Sequence, residues 1–284
     1  MPENFEGKNK EENLPQQSET PEEFLARAER ELMDKAKETT ENIKNKDEFI
    51  QVFEKEGIDL NKPENLGGVG GVVASGINVL FERKYRVSVS EDKLPIVIVP
   101  DTDIEKTIIG DINVPFSLKV PTEKGRAVST IHMRGLNDIL NGNYFCEEMA
   151  HFYRDYFKVD KNQEEITGEF FGFLGKKMWQ KAVKDGDAKD LKFLVDIKEQ
   201  KVDSKKKALK MLKELKAKIE SEKDGTARER LEQERKDILI HQRGYEYADK
   251  VDLDKIKDWK KLFSMPDAEV RKRFFTNKPD YSDL

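Results

Sequence analysis

"YFCEEMAHFYRDYF", Tyr144 to Phe157, is the stretch on which the reading of this 284-residue chain turns. It carries the only cysteine, Cys146, one of three histidines, His151, and two adjacent glutamates, Glu147 and Glu148. Its pattern is helical, and on a helix residues four apart, such as Glu147 and His151, lie one turn apart on one face. Two side chains so placed can bind one metal ion. Glu148 projects at an angle from them, where it can hold a water at the same ion. The competing reading is a partly solvated helix. Glutamate pairs are common on exposed faces, a histidine among aromatics is often hydrogen-bonded to a neighbour, and Phe145, Met149, Phe152 and Phe157 would be the core stripe. A metal site needs a carboxylate from another element. Glu169, in "TGEFFGFLG" on the next predicted helix, is the candidate.

Working outward, the period changes before this helix. "RVSVS" (86–90), "LPIVIVPD" (94–101), "NVPFSLKVPT" (113–122) and "RAVSTIHMR" (126–134) read as short strands separated by Pro, Asp and Gly turns. Helix, small sheet and two helices in that order indicate an α+β core over residues 58–197. The glycines Gly67, Gly68, Gly70 and Gly71 follow "DLNKPE" rather than an apolar strand, and they miss both dinucleotide and P-loop spacings. A flexible loop or a close-packing site is the expected role.

Residues 198–240 differ in kind. Two charged helical runs are broken by "KDGT", and Ala208, Leu212, Leu215 and Ile219 have the spacing of a packed seam, which predicts an antiparallel hairpin. Residues 241–284 complete a helical C-terminus, with Pro266 starting the last helix. At the other end, residues 1–20 are polar and read as a disordered tail. Residues 21–57 read as a helical segment, with Phe24, Leu25, Ala28, Leu32 and Ala36 in a narrow stripe and Gly57 closing its second helix.

Composition limits the function classes. Hydrophobic residues make up 36% and charged residues 38%, with 57 acidic against 52 basic side chains and a net charge of −5. Near-balance argues against a dedicated nucleic-acid binder, which carries a clear basic excess. The lysines Lys205–Lys207 sit in a charged helical run and read as a solvated face. One cysteine excludes an intramolecular disulfide. No apolar run suggests a leader or a membrane span, so the expected location is the cytoplasm.

The order of these elements and their residues resembles the zincin metallopeptidases of the gluzincin type, over roughly residues 85–180. "EEMAH" at Glu147–His151 aligns with a His-Glu-x-x-His helix, "GEFFGFLG" around Glu169 with the glutamate helix, and "AVSTIHMRGLND" with the strand bordering the cleft. The resemblance implies His151 and Glu169 as metal ligands and Glu148 as general base. It also implies an edge strand near Ile131 that holds a peptide or protein substrate extended. Glu147 stands where the family has histidine, so it serves as an oxygen ligand or marks a degenerate site. Zinc accepts carboxylate oxygen. A set of one imidazole and two carboxylates shifts preference toward iron or manganese and weakens the acidification of water. His241 and Tyr245 in "HQRGYEYAD" are candidates for stabilising a transition-state oxyanion, or else, with Tyr247 and Ala248, part of a packing face. Two readings follow: a metal-dependent peptidase-like hydrolase, or a non-catalytic interaction or scaffold protein that keeps the fold without the ion.

Overall fold

The computed structural model describes residues 43–100, 116–121, 127–158, 164–194 and 201–276. The expected tail over 1–20 and the stripe from Phe24 to Ala36 lie outside the described residues. The first described helix, α1 (Lys46–Lys55), starts because the Asn45 side chain accepts the Glu48 N–H at 3.0 Å. It ends before Gly57, whose φ of 80° suits the left-handed position beyond a helix end. Phe49 and Phe53 are its buried face, and Phe49 stacks on Phe193 at 4.1 Å.

The glycine-rich stretch is not a loop. It lies inside α2 (Pro63–Tyr85), with proline in the first turn. Gly70 shows why glycine serves there: a Cβ would stand 2.4 Å from Val97 Cγ1, so only a bare backbone lets the helix approach the sheet. Each interior glycine costs a helix about 1 kcal/mol relative to alanine. Burial of Leu66, Val69, Val72, Val73, Ile77, Leu80 and Phe81 offsets that cost. "RVSVS" is likewise not a strand: Arg86 closes α2 in the left-handed region with φ 58°, and the Val89 N–H donates to Asn78 Oδ1 of the helix.

The sheet has strands β1 (Ile96–Ile98), β2 (Phe116–Pro121) and β3 (Ala127–His132), in the order β1-β3-β2. β1 runs parallel to β3, with Val97 opposite Ile131, and β2 runs antiparallel to it, with Leu118 opposite Thr130. The expected small mixed sheet is present. The expected edge strand near Ile131 is not: β3 is central and hydrogen-bonded on both sides, so it has no open edge for a substrate to join.

After α3 (Leu136–Ile139), Asn141 caps α4 (Gly142–Phe157) by accepting the Asn143 and Tyr144 N–H groups. α4 packs along α5 (Glu165–Asp185), which in turn packs against α7 (Gly225–Asp249). α7 is the return arm of the predicted hairpin. α6 (Lys201–Ser221) ends where expected, and Asp224 caps α7 through the Ala227 N–H. Leu212 and Leu215 are buried, and Leu209, Ile238 and Leu239 pack on Leu212. α7 passes through residue 240 without a break, so hairpin and C-terminal region share one helix. α8 (Trp259–Ser264) and α9 (Asp267–Phe274) follow, Pro266 standing just before the last helix. One cluster of buried apolar side chains runs from Ile43 to Val270. The whole is mostly helical with a small sheet, an α+β arrangement. Among the described residues no helix is long and apolar enough to cross a membrane.

Candidate functional site

α4 buries Phe145, Cys146, Met149, Ala150, Phe152 and Tyr153, which leaves Glu147 and His151 on the flank that meets α5. They meet it at Gly172. A Cβ on that residue would lie 2.4 Å from His151 Nε2 and 3.2 Å from Glu147 Cγ, so the two side chains fill the space the glycine leaves. One turn earlier on the same face of α5 is Glu169. Its Oε2 is 2.7 Å from Nδ1 of His241, which belongs to α7. α7 comes this close because of Gly244, where a Cβ would stand 2.5 Å from Glu169 Cβ. Phe173 supports the contact, with its ring 4.8 Å from that of His241 and 5.2 Å from that of Tyr245.

The structure therefore brings Glu147, His151, Glu169 and His241 to one junction of three helices. Glu148 belongs to the same electrostatic group but sits inward. It is 5% exposed, and its Oε2 has no hydrogen-bond partner. Tyr245 is half-buried on Phe173, while Tyr247 and Ala248 are buried in the core, so the packing role foreseen for these three is realised. Of the remaining nucleophiles and imidazoles, Cys146 is fully buried and His132 shares a hydrogen bond with Thr130 on β3 at 2.9 Å.

The charges at the junction are coupled. Burial, with the Glu147 and Glu169 carboxylates nearby, pushes the Glu148 carboxyl well above the usual carboxylate range. Burial also lowers the His151 imidazole, a pull that Glu169 and Asp155 oppose and His241 reinforces. For Glu169, burial works upward, yet the hydrogen bond from His241 and the charges of His241 and His151 hold it below its ordinary value. For His241, burial works downward, and the bond to Glu169, helped by the Glu169 and Glu147 charges, holds it above. These directions favour the ion pair at the rim, the neutral form of the His151 imidazole and the protonated form of the Glu148 carboxyl.

As donors, two imidazoles and two carboxylates suit a first-row divalent ion. Their positions are gathered but not closed: among the described residues no group of three or more His, Cys, Asp or Glu side chains surrounds a point that an ion could occupy. Glu148 Oε2 is buried there without a hydrogen-bond partner.

The partnership of Glu169 with His241, and the glycines that permit it, are what the sequence reading missed. Gly168, Gly172 and Gly175 recur at helical spacing on α5, and Gly244 lies one turn after His241 on α7. Small residues repeated along one helix face signal close helix approach, and they mark the junction. Set against protein-family models, curated proteins and solved structures, the chain matches none of them.

Proposed function

We propose that this chain is a metal-dependent, peptidase-like hydrolase with a zincin-like core, acting in the cytoplasm on a peptide or protein substrate. The observation that carries the reading is the packing of Glu147 and His151 over Gly172, one turn from Glu169 on the facing helix. His151, Glu169 and Glu147 would hold the ion, zinc or, given the carboxylates, iron or manganese. When bound, such an ion supplies positive charge that polarises a carbonyl and acidifies water. Glu148, whose buried Oε2 has no hydrogen-bond partner, would take and return the proton once the charge of a bound ion offset the burial and neighbouring carboxylates that raise its carboxyl. Tyr245, one turn beyond His241, is the candidate donor to a developing oxyanion.

A second reading has its own observation. Glu169 is already bonded to His241, and the donors do not close round a point. That is the arrangement expected of a non-catalytic interaction or scaffold protein that retains the fold, with the charged hairpin as its working surface.

Elemental analysis of protein purified without added metal separates the two. The hydrolase reading expects about one equivalent of metal, lost in both His151→Ala and Glu169→Ala, and zinc-dependent peptidase activity gained or raised in Glu147→His. Metal-free protein whose thermal stability ignores chelators, with Glu147→His equally inert, establishes the scaffold reading instead.

A further inference from the structure

We infer that the recess between α8, α9 and the turn Leu253–Lys255 is a binding site for a small amphiphilic anion, one carboxylate or phosphate group on an apolar body. The recess holds about 300 Å3, the lower end of the range of ligand pockets. None of its lining residues belongs to the α4–α5–α7 junction, so the inference does not rest on the metal-dependent reading.

Its lining divides by chemistry. Ile256, Leu262, Met265 and Phe274 form the apolar part, the second and third buried and the other two half-buried. Lys255, Lys257, Lys261 and Arg273 bring four positive charges against one carboxylate, that of Asp258. This carboxylate is already engaged: its Oδ1 accepts the Lys261 N–H at 2.8 Å and so starts α8. The Arg273 guanidinium lies 5.2 Å from the Phe274 ring centre, which keeps its planar fork of donors beside the apolar wall. The positive excess is local, because the chain as a whole carries a net charge of −5. Contacts at the recess, rather than a general attraction for anions, would therefore hold the ligand.

Both walls are anchored in the core. On α8, Trp259, Leu262 and Phe263 are buried, and the Phe263 carbonyl accepts from Arg154 at 2.6 Å. On α9, Val270 is buried and Asp267 accepts from Arg154 at 2.5 Å. A recess that needs no ordering on binding keeps more of its contact energy as affinity. The two halves of the lining call for a ligand with two halves. A bare anion leaves the apolar wall wet, and a neutral apolar molecule leaves the cations unanswered.

The test is calorimetric titration of the full chain with four probes, each below its aggregation concentration. Octanoate and octyl phosphate carry head and body together, inorganic phosphate the head alone, and 1-octanol the body alone. The inference expects about one molecule of octanoate or octyl phosphate per chain, bound at least about tenfold tighter than either half and more weakly as salt rises. The tighter of the two names the head group. In protein labelled at the methionine methyls, the Met265 signal, assigned with Met265→Leu, should move on titration while that of Met178, buried in the core away from the recess, stays. Lys257 and Lys261 are exposed, so the double variant Lys257→Gln/Lys261→Gln should keep its far-UV circular dichroism and bind at least about tenfold more weakly. Absence of saturable binding overturns the inference. So does inorganic phosphate binding as tightly as octyl phosphate, which means an adventitious ion only, or 1-octanol binding as tightly as octanoate. Undiminished affinity in the double variant, or a still Met265 signal, places the ligand elsewhere and overturns it too.

Discussion

Near the end of α4, Arg154 and Lys158 pair with Asp267; in the middle of the same helix, Glu148 is buried beside like charge rather than opposite charge. The Arg154 guanidinium is fully buried, donates to the Phe263 carbonyl at 2.6 Å and to Asp267 Oδ1 at 2.5 Å, and lies 4.5 Å from the Phe171 ring centre. Asp267 Oδ2 also accepts from Lys158 Nζ at 2.7 Å and from the Glu164 N–H at 2.9 Å. That cluster ties α9 to α4 and the start of α5, with both cations set against one carboxylate. In the middle of α4, Glu148 is buried with no opposite charge paired to it, and its Oε2 has no hydrogen-bond partner. A buried polar group left unsatisfied costs about 1–3 kcal/mol.

Mutations should separate the two ends by sign. Arg154→Ala leaves Asp267 Oδ1 and the Phe263 carbonyl without their buried donor, and urea unfolding should show a loss of about 3–5 kcal/mol, the usual result of breaking a buried pair. Glu148→Met removes an unanswered carboxyl at similar volume and should instead raise stability, by about 1–3 kcal/mol at neutral pH, while abolishing any hydrolysis. A loss of stability in Glu148→Met would mean that the carboxyl is satisfied after all.

Glycines on α5 sharpen the contrast. At Gly175 a Cβ would lie 2.2 Å from the Cys146 carbonyl oxygen, part of a helix backbone that cannot step aside, so Gly175→Ala should cost about 1–3 kcal/mol in thermal or urea unfolding. At Gly172 the obstacle is the far end of the His151 ring, which can swing away. Gly172→Ala should therefore keep its stability within about 1 kcal/mol of wild type, with the helix-propensity gain of alanine offsetting the clash. It should lose metal binding.

Acid titration distinguishes the ends again. Lys158, the Glu164 N–H and Arg154 outweigh the burial of Asp267 and hold its carboxyl below the ordinary value of 3.8. A carboxyl depressed in the folded state contributes stability that is present above its unfolded pKa and is lost as pH falls through the folded one. Glu148 is raised, so its effect has the opposite sign: stability declines as pH rises from its unfolded value of 4.5 toward the folded one. Asp267→Asn should flatten the acid limb of a stability–pH curve, and Glu148→Met should flatten the decline above it. The smallest effect belongs to the hairpin surface. Arg228 and Glu232 are both more than half exposed at 3.0 Å, and Arg228→Ala should change stability by less than about 0.5 kcal/mol.

What could be read from the sequence follows the range of the interactions. The two helices of the site, the hairpin break at "KDGT" and the cap of the last helix rest on local periodicity and capping, and all three are present. The glycine stretch was legible as a close-packing site, which Gly70 against Val97 is, but not as a helix, because helix propensity opposed it. Strand order failed for the same reason. β3 has the pattern of a half-buried strand, and nothing local says that β1 and β2 flank it. The site was legible as far as Glu147, Glu148, His151 and Glu169. His241 was seen as a candidate, yet its pairing with Glu169 depends on the approach of two helices across 72 residues.

The most direct test is anomalous diffraction at the zinc absorption edge, from crystals of the full chain grown with equimolar Zn2+. The hydrolase reading predicts one peak at the α4–α5–α7 junction, about 2.0–2.2 Å from nitrogen and oxygen atoms of His151, Glu169 and Glu147. No peak there, or a peak only at exposed side chains elsewhere, would contradict it and leave the junction a structural contact between three helices.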